Sequence, residues 1–243
     1  MPKRKAPSNV VLVLLAVVVL ASAAFAVAAK HLHDERASAS TAPRASGLPA
    51  SVDNPLAYLM GLSAGSGRPA PDFTLTDQHG ATLSLRSLRG HVVVLGFMDP
   101  HCTDICPIVS RELIDAAQRL GTTARNVDFV SINVNQYHRS VADMTSFSAA
   151  HGLSSISTWH FVTGPTAALR AAWHDYGVAV IAPNPNADII HTSVIYFIDA
   201  KGVERYVAFP MDDHTASGAA YLPAPQISSW GRGIALVASA ISR

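Results

Sequence analysis

The stretch Asp99-Pro100-His101-Cys102-Thr103-Asp104-Ile105-Cys106-Pro107 contains both cysteines of this chain, at Cys-x-x-x-Cys spacing. Ahead of it, Val92-Val93-Val94-Leu95-Gly96-Phe97 is short, apolar and rich in β-branched residues, the pattern of a strand buried on both faces. Behind it, apolar residues recur at Ile108, Val109, Leu113, Ala116, Ala117 and Leu120, so a helix is expected over Ile108 to Leu120. Pro107 suits its first turn and Gly121 its end. Both thiols therefore sit at a strand-to-helix turn. Unpaired N–H groups and the positive helix end favour a thiolate there, so lowered thiol pKa values are expected. One helical turn places Cα atoms roughly 6 Å apart, which lets the pair form a disulfide or clamp one metal ion. Asp104 is placed to cap the helix, and His101 to tune the thiols.

Outward from this turn the chain alternates strands and helices. Phe73 to Thr76 and Ala81 to Leu85 read as a hairpin around Asp77-Gln78-His79-Gly80, followed by a helical turn over Ser84 to Arg89. Val127 to Val134 is a second doubly buried strand, and the helix between the two strands implies a βαβ unit. Helices are expected over Ser140 to His151, Pro165 to Tyr176 and Gln226 to Ile241. Trp159 to Gly164 reads as an edge strand, Val178 to Ile181 as a short strand and Ala182 to Ile190 as a loop. His191-Thr192-Ser193 leads into a strand over Val194 to Asp199, which pairs with Val203 to Ala208. Trp159 and Trp173 are assigned to the core.

The N-terminal residues decide the compartment. Residues 1–9 carry Lys3, Arg4 and Lys5, and residues 10–29 contain no charged side chain, which is long enough to cross a bilayer. Basic residues on the N-terminal side keep the tail cytoplasmic and export the rest. A signal peptide cleaved at Ala21-Ser22-Ala23 or Ala24-Phe25-Ala26 is the rival, but the apolar stretch exceeds the usual signal core. Residues 30–70, rich in Ala, Ser, Pro and Gly, read as a flexible tether, with a short helix at Leu56 to Met60 inside it. Residues 71–243 make the folded domain. The formal net charge of +1 gives no field suited to nucleic acid. Outside the cytoplasm a cysteine pair is commonly a structural disulfide, but so short a loop removes little entropy from the unfolded chain. A working thiol pair is the better reading.

Phe73-Thr74-Leu75-Thr76-Asp77, His101-Cys102-Thr103-Asp104-Ile105-Cys106-Pro107, Phe129-Val130-Ser131-Ile132, Trp159-His160-Phe161-Val162-Thr163-Gly164 and His191-Thr192-Ser193-Val194-Ile195-Tyr196-Phe197-Ile198-Asp199 together resemble the Sco/SenC family of copper chaperones. The resemblance covers about Pro71 to Glu204. It implies a thioredoxin-like fold, an α/β/α sandwich of three layers with a mixed central sheet, behind a single transmembrane helix. It further implies that Cys102, Cys106 and His191 bind copper, as Cu(I) or Cu(II). The copper would be delivered to the dinuclear copper site of cytochrome c oxidase during assembly. The partner would be the oxidase subunit holding that site, or another extracytoplasmic cuproprotein. Such a protein is a metallochaperone rather than an enzyme. The chain differs from the family's usual pattern at Thr103, at Met98-Asp99-Pro100, at Asn133-Val134 and at Ile190, none of them a ligand position.

Donor chemistry agrees with this implication. Two thiolates and one neutral imidazole form a soft, low-coordinate set suited to Cu(I), while zinc would need a fourth ligand. His191 opens the strand where thioredoxin-like proteins commonly place a cis-proline facing the cysteines. Its bland alternative is a histidine hydrogen-bonded to backbone. Met98 and Met211 could add soft contacts, with packing the simpler assignment. A second class stays open: a thiol-disulfide oxidoreductase in which Cys102 and Cys106 are the redox pair and Cys102 attacks. A thiol peroxidase ranks lower, because position 99, four residues before Thr103, is Asp99 rather than proline.

Overall fold

Strand β4 (Val92–Met98) lies at the centre of the molecule because both of its faces are apolar. Val92, Val94 and Met98 enter one core, and Val93, Leu95 and Phe97 enter the other. A computed structural model describes residues 47–242, so the expected tail 1–9, the anchor 10–29 and the start of the tether lie outside the described residues. Among the described residues no helix is long and apolar enough to cross a membrane.

Six strands form the main sheet: β1 (Ser63–Ala64), β4, β5 (Val127–Asn133), β6 (Trp159–Val162), β9 (Ile195–Ile198) and β10 (Glu204–Ala208), in the order β1-β10-β9-β4-β5-β6. β4, β5 and β6 run parallel, whereas β9, β10 and β1 pair antiparallel, so the sheet is mixed as expected. β6 is the edge strand anticipated from Trp159 to Gly164.

Helices cover both faces. On one side lie α2 (Ile105–Leu120), through Ile108, Leu113 and Ala116, and α5 (Ala224–Ile241), through Trp230, Ile234 and Val237. α3 (Val141–Ala150) adds Met144 and Phe147 to the same core. On the other side, α4 (Thr166–Asp175) contributes Leu169 and Trp173. The hairpin of β2 (Thr74–Thr76) and β3 (Thr82–Ser84) joins it there through Leu75 and Leu83. This is a three-layer, thioredoxin-like arrangement. Trp159 and Trp173 are buried in the two cores, as expected.

The structure departs from the sequence reading in several places. The later part of the expected tether is folded. Helix α1 (Asn54–Leu59), capped by the Asp53 carboxylate accepting from the Leu56 N–H at 2.9 Å, buries Leu56, and Val52 and Met60 join the same core. Of these three only Leu56 lies within the helix, so no apolar period runs through the segment to announce it. Met60 packs where α5 has Gly233; a Cβ there would run into its sulfur, so glycine permits this approach.

Second, His191 does not open the central strand. It ends β8 (Ile190–His191), which pairs with β7 (Val180–Ile181) in a separate ribbon before β9 begins. The Thr192 N–H donates to the Ala179 carbonyl at 3.1 Å and holds the chain in that ribbon. Third, a small hairpin of β11 (Asp213–His214) and β12 (Ala220–Tyr221) follows β10. Two-residue strands are too short to show alternation.

On α2, Glu112 is fully buried and neither carboxylate oxygen has a hydrogen-bond partner. Burial pushes its pKa from 4.5 to about 9, so the side chain is a neutral acid at pH 7.

Candidate metal centre

The turn after β4 is fixed from beneath by a buried carboxylate. Asp99 Oδ1 accepts from the His101 N–H and from Asn135 Nδ2, both at 2.9 Å, and the Asp99 carbonyl accepts from the Cys102 N–H at 3.1 Å. Asp104 then caps α2, its Oδ1 accepting from the Ile105 N–H at 2.6 Å, in the role expected of it. The helix starts earlier than anticipated, at Ile105, so Cys106 and Pro107 both lie in its first turn.

The two thiols occupy different environments. Cys102 is half-buried and its sulfur accepts from the Cys106 N–H at 3.3 Å. Its thiol also donates to Asp104 Oδ1 at 2.9 Å. The Asp104 carboxyl lies below its ordinary value: burial pushes it up, but hydrogen bonds from the Cys102 thiol and the Ile105 N–H outweigh that. Cys106 is only 2% exposed. Hydrogen bonding to Cys102, then burial, then the charge of Cys102 push its thiol well above the ordinary value. The expectation of a lowered pKa therefore fails for Cys106. A donor at a helix start gains from the dipole only if desolvation does not cost more.

His191 is partly buried in the β7–β8 ribbon. Its Nδ1 lies 3.0 Å from the Thr192 carbonyl, which can only accept, so Nδ1 carries the proton and Nε2 presents a lone pair. Burial holds its pKa below the ordinary value, which keeps the ring neutral. Cys106 and His191 line one cavity whose walls include Met98, Ile105, Val109 and Pro210. Met98 is buried in that wall and Met211 is half exposed. The structure thus brings Cys102 and Cys106 together and puts His191 in the cavity beside Cys106.

The three donor atoms of Cys102, Cys106 and His191 do not all approach within 4.8 Å of one another; the trio that does so among the described residues is His101, His138 and Asp143. His101 is not disposed as a neighbour of the thiols alone. Its ring stacks on His138 with centroids 3.8 Å apart, and its Nε2 lies 3.7 Å from Asp143 Oδ1. Sequence reasoning missed His138 and Asp143. The usable signal was topological: β5 runs parallel to β4, so its C-terminal loop must lie beside the cysteine turn.

With this geometry established, comparison with known proteins is direct. The sequence profile of the SCO1/SenC family matches residues 63–220. A SCO1 protein homolog of Bacillus subtilis (strain 168) is 27% identical over 132 residues, which span 54% of this chain and 68% of that protein. Among solved structures, Bradyrhizobium japonicum ScoI with copper bound superposes with a TM-score of 0.53 at 21% identity, covering 68% of this chain and 97% of that one. BsSco, described as a member of the Sco family of cytochrome c oxidase assembly proteins and as having a disulfide switch, gives a TM-score of 0.50 at 24% identity, over 58% of this chain and 82% of that one. The structural likenesses establish a shared fold. The family profile spans most of the folded domain, and this chain belongs to the SCO1/SenC family.

Proposed function

We propose that this protein binds copper through Cys102, Cys106 and His191 and hands it to a cuproprotein, with the dinuclear copper site of cytochrome c oxidase as the intended client. The observation that carries this reading is the free Nε2 of a neutral His191 in the cavity that Cys106 also lines. Two sulfurs and one imidazole match the preference of Cu(I) for few, soft donors. Copper would draw Cys106 into thiolate form by displacing its proton, as coordinating metals do. The β7–β8 ribbon is paired to itself and not to the main sheet, so a shift that brings Nε2 to the sulfurs would break no bond of that sheet. Transfer by exchange of ligands one at a time is then natural, with His191 the ligand that arrives last and leaves first.

The chain's arrangement serves this role if residues 10–29 anchor it in a membrane and 30–46 extend the folded domain outside the cytoplasm. Resistance of the protein to alkaline extraction, with the domain open to added protease only from the outer side, is the expected result. The copper assignment is tested by titrating the reduced protein with Cu(I) against a chelator. One tightly held ion per chain, weakened by each of Cys102→Ser, Cys106→Ser and His191→Ala, supports it; undiminished affinity in any of the three contradicts it.

One observation favours a second reading. Cys102 is accessible and accepts an N–H, while Cys106 is buried behind it, which is the disposition of an attacking and a resolving thiol. Thiol-disulfide exchange that keeps client cysteines reduced would use that asymmetry. Rapid reduction of a disulfide peptide together with negligible copper uptake would put this role first.

A further inference from the structure

Beside the thiol pair lies a donor cluster that the proposed copper site does not use. The ligand atoms of His101, His138 and Asp143 all lie within 4.8 Å of one another. These residues come from three segments: the turn after β4, the loop after β5 and the first turn of α3. Parallel pairing through Met98 and Asn133 brings the first two side by side.

A hydrogen-bonded scaffold holds the cluster. Asp99 Oδ1 accepts from the His101 N–H and from Asn135 Nδ2. Asn135 Oδ1 accepts in turn from the N–H groups of Tyr137 and His138, at 3.0 and 3.2 Å. Asn133 Nδ2 donates to the His138 carbonyl at 2.8 Å. Asp143 closes the capping box of α3, its Oδ2 accepting from the Ser140 N–H at 3.1 Å, so that Oδ1 faces the His101 ring. The bonds to His138 engage its backbone atoms and leave its imidazole nitrogens for another partner.

An ordinary surface ion pair does not account for this arrangement. His101 and Asp143 alone would be worth about 0–1 kcal/mol, and such a pair has no use for a second imidazole stacked at 3.8 Å and 27°. Two rings face to face beside one carboxylate repel if both are protonated. A divalent ion satisfies both rings and the carboxylate together. The donor set is two imidazole nitrogens and one carboxylate oxygen, borderline to hard, unlike the soft sulfur set next to it.

We propose that His101, His138 and Asp143 form a second metal site, which takes a divalent transition ion and holds Cu(II) more tightly than Zn(II). The preference follows the general order of affinities for nitrogen and oxygen donors. Three protein donors leave a coordination position for water or for an incoming ligand. None of the three donors belongs to Cys102, Cys106 or His191, so this site and the proposed copper site can fail independently.

The test uses the full chain carrying Cys102→Ser and Cys106→Ser, which removes the sulfur site and prevents thiols from reducing the metal. It is titrated with Cu(II) and separately with Zn(II) against a competing chelator, and the Cu(II) form is recorded by electron paramagnetic resonance. We expect one Cu(II) per chain with nitrogen hyperfine structure, and weaker binding of Zn(II). His138→Ala and Asp143→Asn should each weaken Cu(II) at least about tenfold, with circular dichroism unchanged. His138→Gln replaces the alanine variant if that one does not fold. A Cu(II) affinity and spectrum unmoved by these variants would assign the ion to other histidines and overturn the proposal. Binding of Zn(II) as tight as that of Cu(II) would overturn the choice of ion.

Discussion

The cysteine turn and the His191 ribbon face the same cavity but are built in opposite ways. The turn grows from a strand buried on both faces, is tied to the neighbouring loop through Asp99 and Asn135, and is capped by Asp104. The ribbon is two residues on each strand, and its paired residues Ile181 and Ile190 are 59% and 64% exposed. Rigid support keeps two sulfurs at one place whether or not metal is present. In the proposed copper site, the more exposed ribbon would let the third donor approach and withdraw. A carrier that must release its cargo benefits from this division, because a fully preorganised site would hold copper too long.

The comparison can be broken on its rigid side first. Cys106→Ser should weaken Cu(I) by more than the roughly 100-fold that loss of an outer-sphere partner costs a metal site. Chelator competition measures this. The same titration repeated across pH should show affinity rising about tenfold per pH unit on account of the Cys106 proton, because the raised thiol pKa keeps that proton in place until copper displaces it. Cys106→Ser should remove that part of the slope.

Next in size is Glu112, on the helix that carries the thiols. Its folded-state pKa of about 9 lies above the unfolded value of 4.5, so between these pH values the folded state holds a proton that the unfolded state has lost. Stability therefore falls as pH rises through this window, by roughly 3 kcal/mol between pH 4.5 and pH 7. Glu112→Leu should raise stability at pH 7 by about that amount and flatten the pH dependence, as read by denaturant unfolding. An unchanged pH profile would mean that the carboxyl is solvated.

Asp99→Ala should cost about 2 kcal/mol, since it leaves the buried Asn135 amide without its acceptor and frees the His101 backbone. Copper affinity should fall with it. His191→Ala completes the series with the smallest effect on the fold. We expect a stability change within about 0.5 kcal/mol, but a loss of at least about tenfold in Cu(I) affinity. A large drop in stability would show that the ribbon is structural and would remove the contrast between the two sides.

The cysteine side was more legible in the sequence than the ribbon side. β4 and α2 announce themselves because long apolar patterns, Pro107, Asp104 and Gly121 all point the same way. His191 was identifiable only through its family setting. Two-residue strands carry no period, so Ile190 of β8 read as the end of a loop, although β7 fell within the expected short strand Val178 to Ile181, and β11 and β12 went unseen. Val52, Leu56 and Met60 were hidden for a similar reason, being a few core residues in a stretch of tether-like composition. The raised Cys106 pKa needed burial that no motif reports. The cluster of His101, His138 and Asp143 needed strand register, because residues far apart in sequence meet there only when β4 and β5 lie parallel.

X-ray absorption spectroscopy of the Cu(I)-loaded protein tests the central claim most directly, because it counts the donors around copper. The account expects two sulfur and one nitrogen neighbour, with the nitrogen lost in His191→Ala. Copper bound by sulfur alone, or a nitrogen neighbour that survives His191→Ala, would contradict it.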